Sequence, residues 1–281
     1  MKLRPEIIQQ AQGEELLLYD PLLERLHRLP LDSPSALSEP WLAERLLLEG
    51  PLAERLRAEV LAARLARPPL PDPAPAVEEV DWSLAQDLPD GVASRWREGE
   101  AWRRAAEERA AGRGVSILRG FLAPAFCEVL LQEARALRME RLDTALVHAR
   151  RSTSPSSLPR LRELLLSPDT RALVGALLGV ALPEDLLLNV WTLEAGDHFA
   201  VHPDGGRYRA TFALGLNAGW RARDGGAIAF GRPQADGSLE VQERWLPQLG
   251  DLCLFVPGPR TWHAVETPAR ARWTASGWWK A

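Results

Sequence analysis

The chain has 281 residues, with 34 Lys and Arg against 38 Asp and Glu, a formal net charge of −4. That balance gives no electrostatic reason to expect a nucleic acid or an anionic membrane surface as partner. Hydrophobic residues make up 46% and charged residues 26%, the profile of a soluble globular protein with a core, and the two cysteines, Cys127 and Cys253, exclude a disulfide scaffold or a cysteine-ligated zinc ribbon.

From Pro5 to about Ala66 the sequence is rich in Leu, Glu, Arg and Ala at helical spacing, for example Leu42, Leu46, Leu47, Leu52, Leu56 and Val60. Residues 1–66 therefore read as a helical N-terminal segment. Residues 67–80 read as a stiff linker, opening Arg67-Pro-Pro-Leu-Pro-Asp-Pro-Ala-Pro, because each Pro fixes φ and disfavours helix before it. Residues 81–281 then form the main domain. Helices are expected over Ser94 to Ala111, over Pro124 to Leu137, and between Leu161 and Leu178 with a break at Ser167-Pro168-Asp169. Val115-Ser-Ile-Leu-Arg is a short strand between the first two.

From about Asp185 the period changes. Short apolar or alternating runs, Leu186–Leu193, Arg209–Leu216, Ala227–Phe230, Asp251–Val256 and Arg270–Trp279, are separated by Gly, Pro, Asp and Asn. Strands without intervening helices indicate a sandwich or barrel. The fold class is α+β: a C-terminal antiparallel β domain with flanking helices, behind a helical N-terminal segment. No run approaches the 18 or so apolar residues of a membrane span, and the start of the chain has no apolar stretch of signal-peptide length. A reduced cytoplasmic protein is expected.

Within the β region lies His202-Pro203-Asp204, and His263 follows 61 residues after His202, just beyond an apolar strand and a Pro-Gly turn. Two imidazoles and a carboxylate on neighbouring strands offer three ligands on one face of a metal and leave the other face open. Arg272 lies nine residues past His263. Period-2 alternation puts Arg270, Arg272, Thr274, Ser276 and Trp278 on one face of the last strand. A partly buried guanidinium there calls for a planar anion such as a carboxylate.

With these residues the chain resembles the 2-oxoglutarate/Fe(II)-dependent dioxygenases, in particular the prolyl-hydroxylase-like branch. The resemblance runs over roughly residues 115–280. It rests on His202-x-Asp204, Thr211-Phe-Ala-Leu-Gly-Leu-Asn217, Trp220, Gly225-Gly226, Gly250-Asp-Leu-Cys-Leu-Phe255, His263-Ala-Val and Arg272-x-Thr274 before Trp278. It implies a double-stranded β-helix (jelly-roll) fold and Fe(II) held by His202, Asp204 and His263. It also implies 2-oxoglutarate bound by Arg272 with Thr274 and Thr211, O2 as second cosubstrate, and ascorbate as an accessory reductant. The activity implied is hydroxylation of a C–H bond of an amino-acid, peptide, protein or small-molecule substrate, with release of succinate and CO2. The intact Asp204 favours hydroxylation over halogenation, and no catalytic residue is expected beyond the metal centre. One departure stands out: related enzymes often place a cosubstrate-binding Tyr about ten residues before the first His, where this chain reads Trp191-Thr192-Leu193. Asn189, Trp191 and Thr192 are candidates to replace that contact. His198 falls on the His202 face of a regular strand and reads as a cleft-rim residue. Tyr208 and Trp262 are further candidates for the substrate cleft. The alternatives are a non-catalytic jelly-roll binding protein and a cupin-like metalloenzyme that does not use 2-oxoglutarate; neither needs a carboxylate anchor at Arg272.

Overall fold

The computed structural model describes three strands within residues 8–30 and then residues 80–280, except 112–113, 145, 155–156, 205–207, 235–237 and 259. The strands are β1 (Ile8–Gln12), β2 (Glu15–Asp20) and β3 (Arg25–Pro30), paired antiparallel in chain order. This corrects the helical reading of that stretch. Gln12 pairs with Glu15, so only Gly13 and Glu14 separate β1 from β2 in the sequence. Pro21 follows β2 at once. The breaks cut the apolar pattern into pieces of strand length. The amphipathic run around Leu42–Val60 and the Pro-rich linker lie outside the described residues.

Proline opens three of the four described α-helices, and the last of them is capped at both ends. After two 3-10 turns, Trp82–Asp87 and Ser94–Arg97, come α1 (Gly99–Ala110) and α2 (Pro124–Arg135), then α3 (Pro159–Leu166) and α4 (Pro168–Leu178). The hydroxyl of Ser167 accepts from the Thr170 amide and Pro168 occupies the first turn of α4, while Gly179 ends that helix at φ +71°. Among the described residues no helix is long and apolar enough to cross a membrane.

The remaining strands are β4 (Val115–Leu118), β5 (Met139–Asp143), β6 (Val147–Ser152), β7 (Leu186–Leu193), β8 (His198–His202), β9 (Tyr208–Gly215), β10 (Ile228–Pro233), β11 (Leu239–Trp245), β12 (Leu252–Phe255), β13 (Trp262–Val265) and β14 (Arg272–Lys280). They form one antiparallel sheet in the order β11-β10-β13-β8-β6-β7-β14-β9-β12-β4, with β5 on β6. The sheet folds over itself into a jelly-roll. Phe230 on β10 meets Phe255 on β12 edge to face at 5.3 Å, joining the two layers.

Alternation assigns each strand two cores. Leu186, Leu188 and Val190 of β7 and Leu252 and Leu254 of β12 pack with Trp102, Leu130, Leu161 and Leu173 from the helices. The intervening Trp191, Leu193, Cys253 and Phe255 fill the space between the two layers, with Ile228, Phe230 and Val265. A sheet covered on both faces explains why these strands read as nearly continuous apolar runs.

Candidate metal centre

His202 ends β8 and stands directly opposite His263 on β13, with ring centroids 4.3 Å apart. Nδ1–H of His202 donates to the Ala200 carbonyl at 2.7 Å, and Nδ1–H of His263 donates to the Thr261 carbonyl at 2.9 Å. A carbonyl can only accept, so each ring carries its proton on Nδ1 and presents the bare Nε2 lone pair to the interior. Burial, and then the neighbouring His263, pushes the pKa of His202 down to about 4 against the pull of Asp204. The ring is therefore neutral at neutral pH, the form that a metal binds. Asp204 completes the group: its Oδ2 accepts from the Thr211 hydroxyl at 2.7 Å. The ligand atoms of His202, Asp204 and His263 all lie within 4.8 Å of one another. Two imidazoles and one carboxylate are a donor set suited to Fe(II), with coordination positions left over for other ligands.

The same cavity is lined by Arg272 and Thr274. Arg272 is 2% exposed, and its Nε and Nη2 have no hydrogen-bond partner among the described residues. Burial lowers its pKa to about 9, so it still carries its charge at neutral pH. The Thr274 hydroxyl is likewise buried without a partner among those residues. An unpaired buried charge is costly, by several kcal/mol on typical scales. The cavity is therefore built to receive an anion with acceptor oxygens. Ser276 and Trp278 continue the same face of β14, as alternation predicts.

The other candidates fall into three groups. Thr211 faces the cavity, and its hydroxyl is committed to Asp204. Trp191 also lines the cavity, with its Nε1–H donating to Ser276 Oγ at 3.0 Å. Asn189 shares the Trp191 side of β7 and lies opposite Ser276 in register, whereas Thr192 points to the other side. Tyr208 stacks on Trp278 at 5.4 Å, so it backs a wall of the cavity.

His198 and Trp262, expected at the substrate cleft, lie away from this face. Phe199 pairs with Val265 while His202 pairs with His263, so three residue steps on β8 match two on β13. This bulge turns Phe199 to the His202 side and His198 away from it. His198 instead stacks on His148 of β6 at 4.8 Å. Trp262 directly precedes His263 on β13 and so takes the opposite face. Phe199, whose ring lies 6.2 Å from that of His202, is a cavity residue that the sequence does not single out. Its apolar character on a half-buried strand is the available signal, and the bulge hides it.

Residues 188–280, which carry every group that lines this cavity, match the family model of the 2OG-Fe(II) oxygenase superfamily. That match covers less than half of the chain and falls on the jelly-roll strands β7 to β14. Members of that superfamily use Fe(II), 2-oxoglutarate and O2, and a His-Asp-His group is present in this chain. Solved structures agree on the fold. A Pseudomonas putida prolyl-4-hydroxylase is similar at a TM-score of 0.52 and 22% identity, over 64% of this chain and 99% of that one. A Trichoplax adhaerens prolyl hydroxylase, solved with a peptide fragment of hypoxia inducible factor, gives 0.53 and 17% over 67% and 94% of the two chains. The non-haem α-ketoglutarate-dependent epimerase SnoN from nogalamycin biosynthesis gives 0.50 and 19% over 65% and 84%. No curated protein matches the chain in sequence.

Proposed function

We propose that this oxygenase hydroxylates a C–H bond of an amino-acid, peptide or small-molecule substrate, coupled to conversion of 2-oxoglutarate to succinate and CO2. The observation that carries the reading is Arg272, a buried guanidinium with two nitrogens unpartnered among the described residues, in the same cavity as His202, Asp204 and His263. A binding module has no use for such a charge, and a metalloenzyme without an acidic cosubstrate would leave it uncompensated.

In this reading Nε2 of His202, Nε2 of His263 and the Asp204 carboxylate hold Fe(II), which supplies the activation of O2 when bound. Arg272 forms a charge-assisted pair with the distal carboxylate of 2-oxoglutarate and Thr274 donates its hydroxyl to the same group. Trp191, Leu193, Ile228 and Val265 keep water out of the cavity around that pair. Thr211 keeps the Asp204 carboxylate oriented by occupying one of its oxygens. No side chain has to act as a general base, and the described residues around the centre offer none. The prolyl hydroxylases among the structural neighbours support a peptide or amino-acid substrate, and ascorbate fits as an accessory reductant.

The test is an anaerobic titration of the purified protein with Fe(II) and then 2-oxoglutarate, read by the weak visible charge-transfer band of the chelate. The expected result is a band that His202→Ala abolishes and Arg272→Ala weakens. Folded protein that takes up Fe(II) without a band on adding 2-oxoglutarate would overturn the reading.

A further inference from the structure

Trp220 through Gly226, between β9 and β10, touch the segment that delivers Arg272 at several points. The Asp224 carbonyl accepts from the Ala269 amide at 2.8 Å, and the Gly226 amide donates to the Thr267 carbonyl at 3.2 Å. Arg270, two residues before Arg272, reaches Asp224 Oδ2 at 3.2 Å and lies 4.3 Å over the Trp220 ring. Trp220 Nε1–H in turn donates to the Gly225 carbonyl at 2.9 Å, so both partners of Arg270 belong to one tied turn. Gly226 has φ +66°, and a Cβ built there would stand 2.9 Å from Arg272 Cδ and 3.0 Å from Pro268 Cβ. The bare α-carbon is therefore one wall of the channel in which the Arg272 stem lies.

We propose that the Trp220–Gly226 turn is a positioning device for Arg272: Asp224 and Trp220 fasten the approach through Arg270, and Gly226 leaves the space for the Arg272 stem. The inference rests on the functional reading above, in which Arg272 holds 2-oxoglutarate. The Arg270 side chain is half exposed. An exposed ion pair contributes little to global stability, so the effect of losing it falls on where the strand entry sits. A guanidinium aimed at a carboxylate loses affinity with small displacements, because both hydrogen bonds of a bidentate pair depend on the same plane.

The experiment measures two constants on the full chain: Fe(II) affinity alone, and 2-oxoglutarate affinity of the Fe(II) form from its anaerobic chelate band. Gly226→Ala is expected to weaken 2-oxoglutarate by about tenfold or more, and Arg270→Gln by about threefold. Arg270→Lys, which keeps the charge over Trp220, is expected to return to within about twofold of wild type. Fe(II) affinity stays within about twofold throughout, a split that a general loss of structure would not produce. Unchanged 2-oxoglutarate affinity in Gly226→Ala and Arg270→Gln overturns the inference, and so does a parallel loss of Fe(II). Should Gly226→Ala not fold, the comparison of Arg270→Gln with Arg270→Lys decides alone. A wild-type protein that binds Fe(II) but not 2-oxoglutarate overturns the functional reading, and this inference with it.

Discussion

Thr211 and Asp204 are joined by a 2.7 Å hydrogen bond in which the Thr211 hydroxyl donates to Oδ2, and the same carboxylate offers a ligand oxygen within 4.8 Å of both imidazoles. The bond makes Thr211 part of the metal site through Asp204. Thr211→Val keeps the shape and removes the donor. Fe(II) affinity is expected to fall by about tenfold, within the range typical for partners of ligating carboxylates. Anaerobic Fe(II) titration checks this; an unchanged constant would show that the carboxylate is oriented without Thr211.

Arg272 carries a pH signature. Its pKa is lowered to about 9 by burial, well below that of the free side chain. Below pH 9 both folded and unfolded chains hold the proton, so the full cost of burying the charge is present. As pH rises past 9 the folded protein can shed the proton and that cost declines. Arg272→Met removes it altogether. The variant without ligands is expected to be more stable than wild type at pH 7 by about 1–4 kcal/mol, with the difference narrowing above pH 9. Chemical denaturation of both proteins at pH 7 and 10 measures it, and a less stable Arg272→Met at pH 7 would contradict the argument.

Asn217 ties the end of β9 to the strand that bears Arg272. Its Nδ2 donates to the carbonyls of Pro247 at 3.0 Å and Trp273 at 2.7 Å, and its Oδ1 accepts from the Trp273 amide at 2.7 Å. The side chain is 5% exposed. Asn217→Ala strands these groups in the interior, and is expected to cost about 2–4 kcal/mol and to lower Tm by roughly 5–15 °C. A calorimetric scan checks the shift. A change under about 2 °C would mean that water replaces the amide.

Neither cysteine is available for chemistry in the folded protein. Cys127 and Cys253 are buried, with the thiol of Cys127 pushed up to about 11 by burial and that of Cys253 raised further for the same reason. Iodoacetamide at pH 8 is expected to leave both unmodified over hours in native buffer and to alkylate both in denaturant. Rapid native labelling, read by mass spectrometry, would place a thiol at the surface.

The residues that alternate cleanly are legible from the amino-acid order alone. On β14 the spacing of Arg272, Thr274, Ser276 and Trp278 predicts their common face, and the cavity lies along it. The grouping of His202 with Asp204 and His263 follows from residue type and order. Features set by tertiary contact are not legible. The Thr211 hydroxyl has Asp204 as partner only once β9 passes that loop, so a role on 2-oxoglutarate is the natural expectation from sequence. The β5–β6 hairpin is rich in Arg and half exposed, and it lacks the apolar run that marks β7. β1 to β3 carry a Leu-Glu-Arg composition that favours helix, and the short spacing of Gly13 and Pro21 outweighs it. Adjacency to His263 suggests the cleft for Trp262, although neighbouring residues of a strand face opposite ways.

The extra residue in β8 has a consequence for how this chain can vary. Phe199 and His202 face the metal site together only because three steps on β8 match two on β13. The common face therefore depends on the pairing more than on the count: removing either Ala200 or Val201 would leave Phe199 two positions before His202, the spacing that a regular ladder puts on one face, and the wall and the ligand would keep their common side. What would part them is the same length without the bulge. Three steps matched by three would turn Phe199 out of the cavity with no change to a single ligand.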